Sequence, residues 1–222
     1  MEAGMNTIIN AQLDEGFSEA GAAMDATDFE EKSARIAFAT AILKPFVGKE
    51  HGRPDAAFCI GLMARNMGVY AYSDPALTED EQYNDSAAYF AEAARYLKMA
   101  ADMADTRGDF IPARAKSLLA DLYEDGVLDD GAPNVEQAFA LRWEAAEAGF
   151  AEAQINLAYM YWYGIGTLPS PQNARKWIEA ALQNQNQLPP EMLTAATWFH
   201  GTIANPTETT YIVTRAPKEF VM

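Results

Sequence analysis

One segment of this chain is written twice. Ala115-Lys-Ser-Leu-Leu119-Ala120-Asp-Leu-Tyr123-Glu-Asp-Gly126 is echoed by Ala153-Gln-Ile-Asn-Leu157-Ala158-Tyr-Met-Tyr161-Trp-Tyr-Gly164, with Ala, Leu, Ala, Tyr and Gly in the same order and each pair 38 positions apart. A polar, proline-containing loop follows each glycine, Leu128 to Asn134 and then Thr167 to Asn173. A second helical stretch follows each loop. One carries Ala138, Leu141, Ala145 and Ala146; the other carries Ala174, Trp177, Ala181 and Leu182. Intervals of three, four and one place each set on a single helical face. Self-similarity at this period restricts the chain to a repeat architecture.

The residue types explain how such units pack. Alanine at a helix crossing lets two backbones approach, while a neighbouring Leu, Tyr or Trp fills the adjoining groove. Glycine ends the first helix because it takes the left-handed conformation without steric cost. Neither helix of a pair covers its own apolar face, so pairs stack into a solenoid.

These residues resemble the Sel-one-like repeat, a relative of the tetratricopeptide repeat. In the copy from about Ala151 to Leu182, Ala153, Leu157, Tyr161, Gly164, Gly166, Ala174, Trp177 and Ala181 stand where that family has them, and Ala158 replaces a glycine. The copy from Ile111 to Gly149 carries Ala115, Leu119, Tyr123, Gly126, Ala138, Ala145 and Ala146, with Leu128 in place of the second loop glycine. A third copy is degenerate. Ala56, Ile60 and Gly61 begin it, Ala93, Tyr96, Ala100 and Ala101 end it, and Ala64 holds the tyrosine position. Its loop reads as swollen, from Tyr70 to Asp85, around Asp74-Pro75 and Glu79-Asp80-Glu81. The resemblance implies an all-α fold, a right-handed α-solenoid of helix-turn-helix repeats with caps at both ends.

The expected organisation is a helix pair over residues 1–54, a degenerate repeat with a long loop over 55–110, repeats over 111–150 and 151–182, and a C-terminal cap helix and tail over 183–222. Thr27 and Glu30 have capping-box spacing for a helix running through Ile36 to Leu43, which Pro45 stops. Gln183 to Gln187 reads as a polar linker, and Pro190-Glu191 opens a helix through Trp198. The β-branched run Thr209 to Thr214 reads as an extended tail.

Charge narrows the partners. Sixteen Lys+Arg against 32 Asp+Glu give a net charge of -16. Such a surface repels nucleic acid phosphates and anionic membranes, which need basic groups to displace counterions. A protein with a basic surface suits it. Acidity of this kind also simply keeps an alanine-rich surface soluble. No run of 18 apolar residues offers a membrane span. The opening Met1-Glu2-Ala3-Gly4-Met5 lacks the features of a signal peptide, so the expected compartment is the cytoplasm, or the periplasm if a leader has been removed.

No residue set selects a catalytic reaction, cofactor or metal. His51 and His200 lack metal-ligand spacing, and Cys59, the only cysteine, sits in an apolar run. Gly164-Ile-Gly166 is not followed by the Lys-Ser/Thr of a phosphate loop. Asp121, Glu124, Asp125, Asp129 and Asp130 crowd together out of calcium-loop order and read as a solvated edge.

Tetratricopeptide-like packing implies that positions two and five after the repeat leucine face a concave groove. These are Leu62 and Arg65, Asp121 and Glu124 with Asp125, and Tyr159 and Trp162 with Tyr163. Aromatic groups beside acids suit a partner presenting Arg or Lys. Equally, Tyr159 and Trp162 pack on the helix containing Trp198 and Phe199. The resemblance implies an adaptor or regulator that binds protein, and the residues offer no catalytic set; a sharper form, which the acidic, repeat-only character suits and the resemblance does not specify, is an immunity or inhibitor protein against a bacterial effector. Two other classes stay open: a hydrolase with a carboxylate cleft, and an architectural part of an envelope complex docked through Tyr211 to Met222.

Overall fold

A computed structural model describes residues 2–47, 52–74, 78–128 and 131–204. The fold is all-α, with nine α-helices and no strand among the described residues. The chain divides into two compact units, Met1–Ala132 and Pro133–Met222. The first contains α1 (Glu2–Asp25), α2 (Phe29–Leu43), α3 (Pro54–Tyr72), α4 (Glu79–Ala101) and α5 (Ile111–Glu124). The second contains α6 (Val135–Glu147), α7 (Ala151–Tyr163), α8 (Pro171–Gln183) and α9 (Pro190–Ala204). The division falls inside the middle repeat.

In the first unit α3 is the hub, packed on α1, α2, α4 and α5. Its small residues make this possible. A Cβ on Gly61 would stand 2.8 Å from the Leu97 side chain, and one on Gly68 would stand 2.7 Å from the Phe90 ring. These glycines are seven residues apart on one face, so α4 lies close along most of the length of α3. Leu97 and Phe90 approach in the reverse order, which makes the pair antiparallel. α1 and α2 form a hairpin at the N-terminal end, and Lys32 Nζ donates to the Ala23 and Met24 carbonyls at 3.0 and 3.1 Å. A cation there meets the negative end of the α1 dipole.

Two local expectations need correction. The α2 cap is Asp28, whose carboxylate accepts the Glu31 N–H at 2.9 Å, rather than Thr27. Asp28 takes the extended backbone that a cap requires, one residue closer to the helix. The loop expected from Tyr70 to Asp85 is far shorter, because α3 continues to Tyr72 and α4 begins at Glu79. Acidic residues in a first helical turn suit the positive end of the helix dipole, and composition alone mistook that turn for loop.

Asp55 ties the start of α3 to the loop before α5. It receives Arg53 Nη2 at 2.6 Å and Arg107 Nη1 at 3.0 Å. Burial alone would raise the Asp55 carboxyl, but the Arg53 hydrogen bond and the charges of Arg53 and Arg107 outweigh it and hold it below its ordinary 3.8. A carboxylate whose pKa falls on folding stabilises the native state fully above the unfolded pKa, and that contribution is lost as pH drops through the folded value. Asp55→Asn is expected to cost about 2 kcal/mol at pH 7, less than a fully buried pair because Arg107 is half exposed. In thermal unfolding scans the gap between wild type and variant should close below pH 3.8. A gap that stays constant down to pH 2 contradicts the assignment.

In the second unit α7 is the hub, with Ala151, Ala153, Leu157, Ala158 and Met160 buried. Gly164 caps it at φ 72°. Ser170 caps α8 by accepting the Asn173 N–H at 3.3 Å, with Pro171 in the first turn. The stretch from Gln183 to Gln187, expected as a linker, instead forms part of a polar clamp. Gln187 accepts the Ala151 N–H at 3.1 Å and donates to the Gly149 carbonyl at 3.2 Å. Asn184 donates to Gln154 at 3.2 Å, and the buried Gln154 donates to the Ala146 carbonyl at 3.1 Å. Burying amides demands partners, and each of these amides satisfies another group in the end of α6, in the turn after it or in α7. The run from Thr209 to Thr214 lies outside the described residues.

Candidate interaction surfaces

The expected surface residues fall in both units, and each unit has its own geometry. In the first unit the Arg114 guanidinium lies over the Phe58 ring, 5.0 Å from its centroid. Together with Arg107 on Asp55, this contact brings the starts of α3 and α5 together. Leu62 and Arg65 are half-buried, as are Asp121 and Glu124, while Asp125 is exposed. The Asp125 N–H closes α5 by donating to the Asp121 carbonyl at 2.8 Å.

The same face of α3 continues into Val69 and Tyr72, at seven and ten residues from Leu62. Both are exposed, Tyr72 at 61%. They were missed because the repeat pattern ends before them; helical spacing from Leu62 was the signal that could have found them. The face combines an aromatic ring, two apolar groups, one cation and several carboxylates. Acidity is also concentrated in this unit, which holds 24 of the chain's 32 acidic residues and 11 of its 16 basic ones.

In the second unit the aromatic set is already engaged. The Tyr159 ring stacks on Phe199 with centroids 4.2 Å apart, and Trp162 meets Phe199 edge-on at 6.2 Å. Trp162 is buried, and Tyr159 and Tyr163 are half-buried with centroids 5.4 Å apart. Burial raises both tyrosine pKa values, and the neighbouring Tyr163 adds to the effect at Tyr159. α9 thus occupies the face that Tyr159 and Trp162 present. The packing partner is Phe199 and not Trp198, whose side chain is exposed. Ala196, Phe199 and Ile203, spaced at three and four, form the buried face of α9.

The groups considered for chemistry stand apart. Cys59 is half-buried, and burial together with the Asp55 charge pushes its thiol up to about 11, so it stays protonated at neutral pH. His51, Asp129 and Asp130 lie outside the described residues. His200 Nε2 is 3.6 Å from a Glu179 carboxylate oxygen. Among the described residues no three His, Cys, Asp or Glu side chains come together as a metal site requires, and no helix is long and apolar enough to cross a membrane.

Comparison with known proteins agrees with the repeat reading. The family model for the Sel1 repeat matches residues 63–105, 113–150 and 151–186. Among solved structures, a Sel1 repeat protein from Oxalobacter formigenes is similar at 17% identity and a TM-score of 0.39, over 94% of this chain and 63% of that one. Another is c5321, a protective antigen present in uropathogenic Escherichia coli strains that displays an SLR fold, at 15% identity and a TM-score of 0.36, over 94% and 49%. This chain therefore spans less than two thirds of either structure's length. No curated protein matches it.

Proposed function

Because the chain belongs to the Sel1 repeat family, whose three matched copies cover more than half of it, we propose that it works by holding a protein partner with a basic surface on the α3–α5 face. Sel1 repeats generally mediate protein–protein interactions and are generally non-enzymatic. The single observation that carries the choice of face is the Arg114 guanidinium over the Phe58 ring, which sets α3, with Leu62, Arg65, Val69 and Tyr72, beside α5, with Asp121 and Glu124. The two helices offer apolar, aromatic and carboxylate groups that are exposed or half-buried. An Arg or Lys from a partner gains ion pairing, ring contact and apolar burial at once. The concentration of acid in this unit would speed encounter with a basic protein.

In its narrower form the proposal is a dedicated inhibitor, an immunity-type protein that neutralises one basic bacterial effector. Tight one-to-one capture uses electrostatic steering most fully. The test is co-purification from the native host followed by stopped-flow association. One basic partner should predominate, and its association should slow steeply as salt rises. Asp121→Lys with Glu124→Lys should slow association about tenfold while leaving the helical circular dichroism unchanged. Association indifferent to salt and to both changes would remove the α3–α5 face from consideration.

A further inference from the structure

We infer that the groove between α2 and α4 is a second docking surface, one that takes a single apolar side chain from a basic segment of a protein partner. The two helices each pack on α3 but scarcely on one another, which leaves a cavity of about 230 Å³. Its floor is Ile60, Ala64 and Met67 of α3; Ala37 stands on the α2 wall, and Tyr89 and Glu92 stand on the α4 wall. Those floor residues point away from Leu62, Arg65 and Val69, because two residues along a helix turn through about 200°. The groove is therefore distinct from the α3–α5 face.

Its size and chemistry select the occupant. The volume lies below the roughly 300–1,000 Å³ of sites for drug-sized ligands, and suits one large side chain. The floor is hydrocarbon and thioether, so that side chain is apolar. The one charged residue of the lining is Glu92, beside the hydroxyls of Ser33 and Thr40. Asp85, seven residues before Glu92 on the same face of α4, is exposed, and so is Glu30 in the first turn of α2, so the surroundings of the groove are acidic. Glu92 meets Arg95 at 3.6 Å, but both side chains are well exposed, so a partner's cation can replace Arg95 at little cost. Lys32, the nearby cation of α2, is engaged by the Ala23 and Met24 carbonyls. A second copy of a chain with net charge -16 fits this rim poorly, whereas a segment with Lys or Arg flanking a Leu fits it well.

The inference rests on the reading that this chain binds protein, and its test separates the two. The probes are a synthetic Lys-rich helical peptide with one central Leu and the same peptide with Ala in its place, titrated into the full chain with labelled Met, Ile and Leu methyl groups. The Leu peptide should move the Met67 and Ile60 methyl signals saturably, and the Ala peptide should bind about tenfold more weakly, the equivalent of one buried Leu side chain. Ala37→Trp adds a ring at an exposed position on the groove wall and should abolish the difference between the peptides. Glu92→Lys with Asp85→Lys, both also exposed, should weaken the two peptides alike. Equal affinity for the two peptides, no binding of either, or shifts confined to Leu62 and its neighbours would overturn the groove. The α3–α5 reading would still stand or fall on Asp121→Lys with Glu124→Lys.

Discussion

Gly166→Ala should shift the urea unfolding of the second unit far below the wild-type midpoint, a loss of about 3–4 kcal/mol. Two costs combine. Gly166 has φ 64°, where an L side chain is strained by about 1–2 kcal/mol. Its Cβ would also collide with the Val135 carbonyl at the start of α6 and approach the Phe139 Cβ to 2.9 Å. Backbone at a helix start cannot swing aside as a side-chain tip can, so the repeat must open. All four tryptophans, Trp143, Trp162, Trp177 and Trp198, lie in this unit, so fluorescence excited selectively at tryptophan reports on it alone. The matched control is Gly201→Ala in α9. That Cβ meets nothing within 4 Å, and alanine there should stabilise the helix by about 0.5–1 kcal/mol. Equal midpoints for the two variants would disprove the close approach of the α7–α8 loop to α6.

The second large effect belongs to α9. Phe199 is 2% exposed and lies between Tyr159 and Trp162. Phe199→Ala should cost about 3–5 kcal/mol and move Trp162 emission toward the red as water reaches the indole. Its neighbour gives the contrast. Trp198 is 65% exposed, and Trp198→Ala should change stability by no more than about 0.5 kcal/mol. The pair decides between the two uses of Tyr159 and Trp162 that the sequence left open. If Phe199→Ala is tolerated and Trp198→Ala is not, α9 is turned the other way and the aromatic face is open to a partner.

Much of the fold was legible because repeat packing leaves local marks. Alanine and glycine at fixed offsets show where backbones meet, and those offsets are set by helix geometry whatever the distant contacts are. The site was less legible. The resemblance to tetratricopeptide packing named Leu62, Arg65, Asp121 and Glu124, yet nothing local says that Arg114 lies over Phe58 and so brings α3 and α5 together. Polar composition misled twice. The acidic run from Glu79 opens a helix, and the amides of Asn184 and Gln187 join a half-buried network around the buried Gln154. A charged or amide-rich stretch looks the same in sequence whether water or backbone satisfies it.

By itself the sequence determined that helices pair, where glycine ends them and which flank of each is apolar, since those follow from period and residue size within about a dozen positions. Only the tertiary structure decided which flanks stay open. That α9 covers Tyr159 and Trp162, while α2 and α4 stand apart over Met67, depends on contacts between residues tens of positions apart, where shape and not spacing selects the partner.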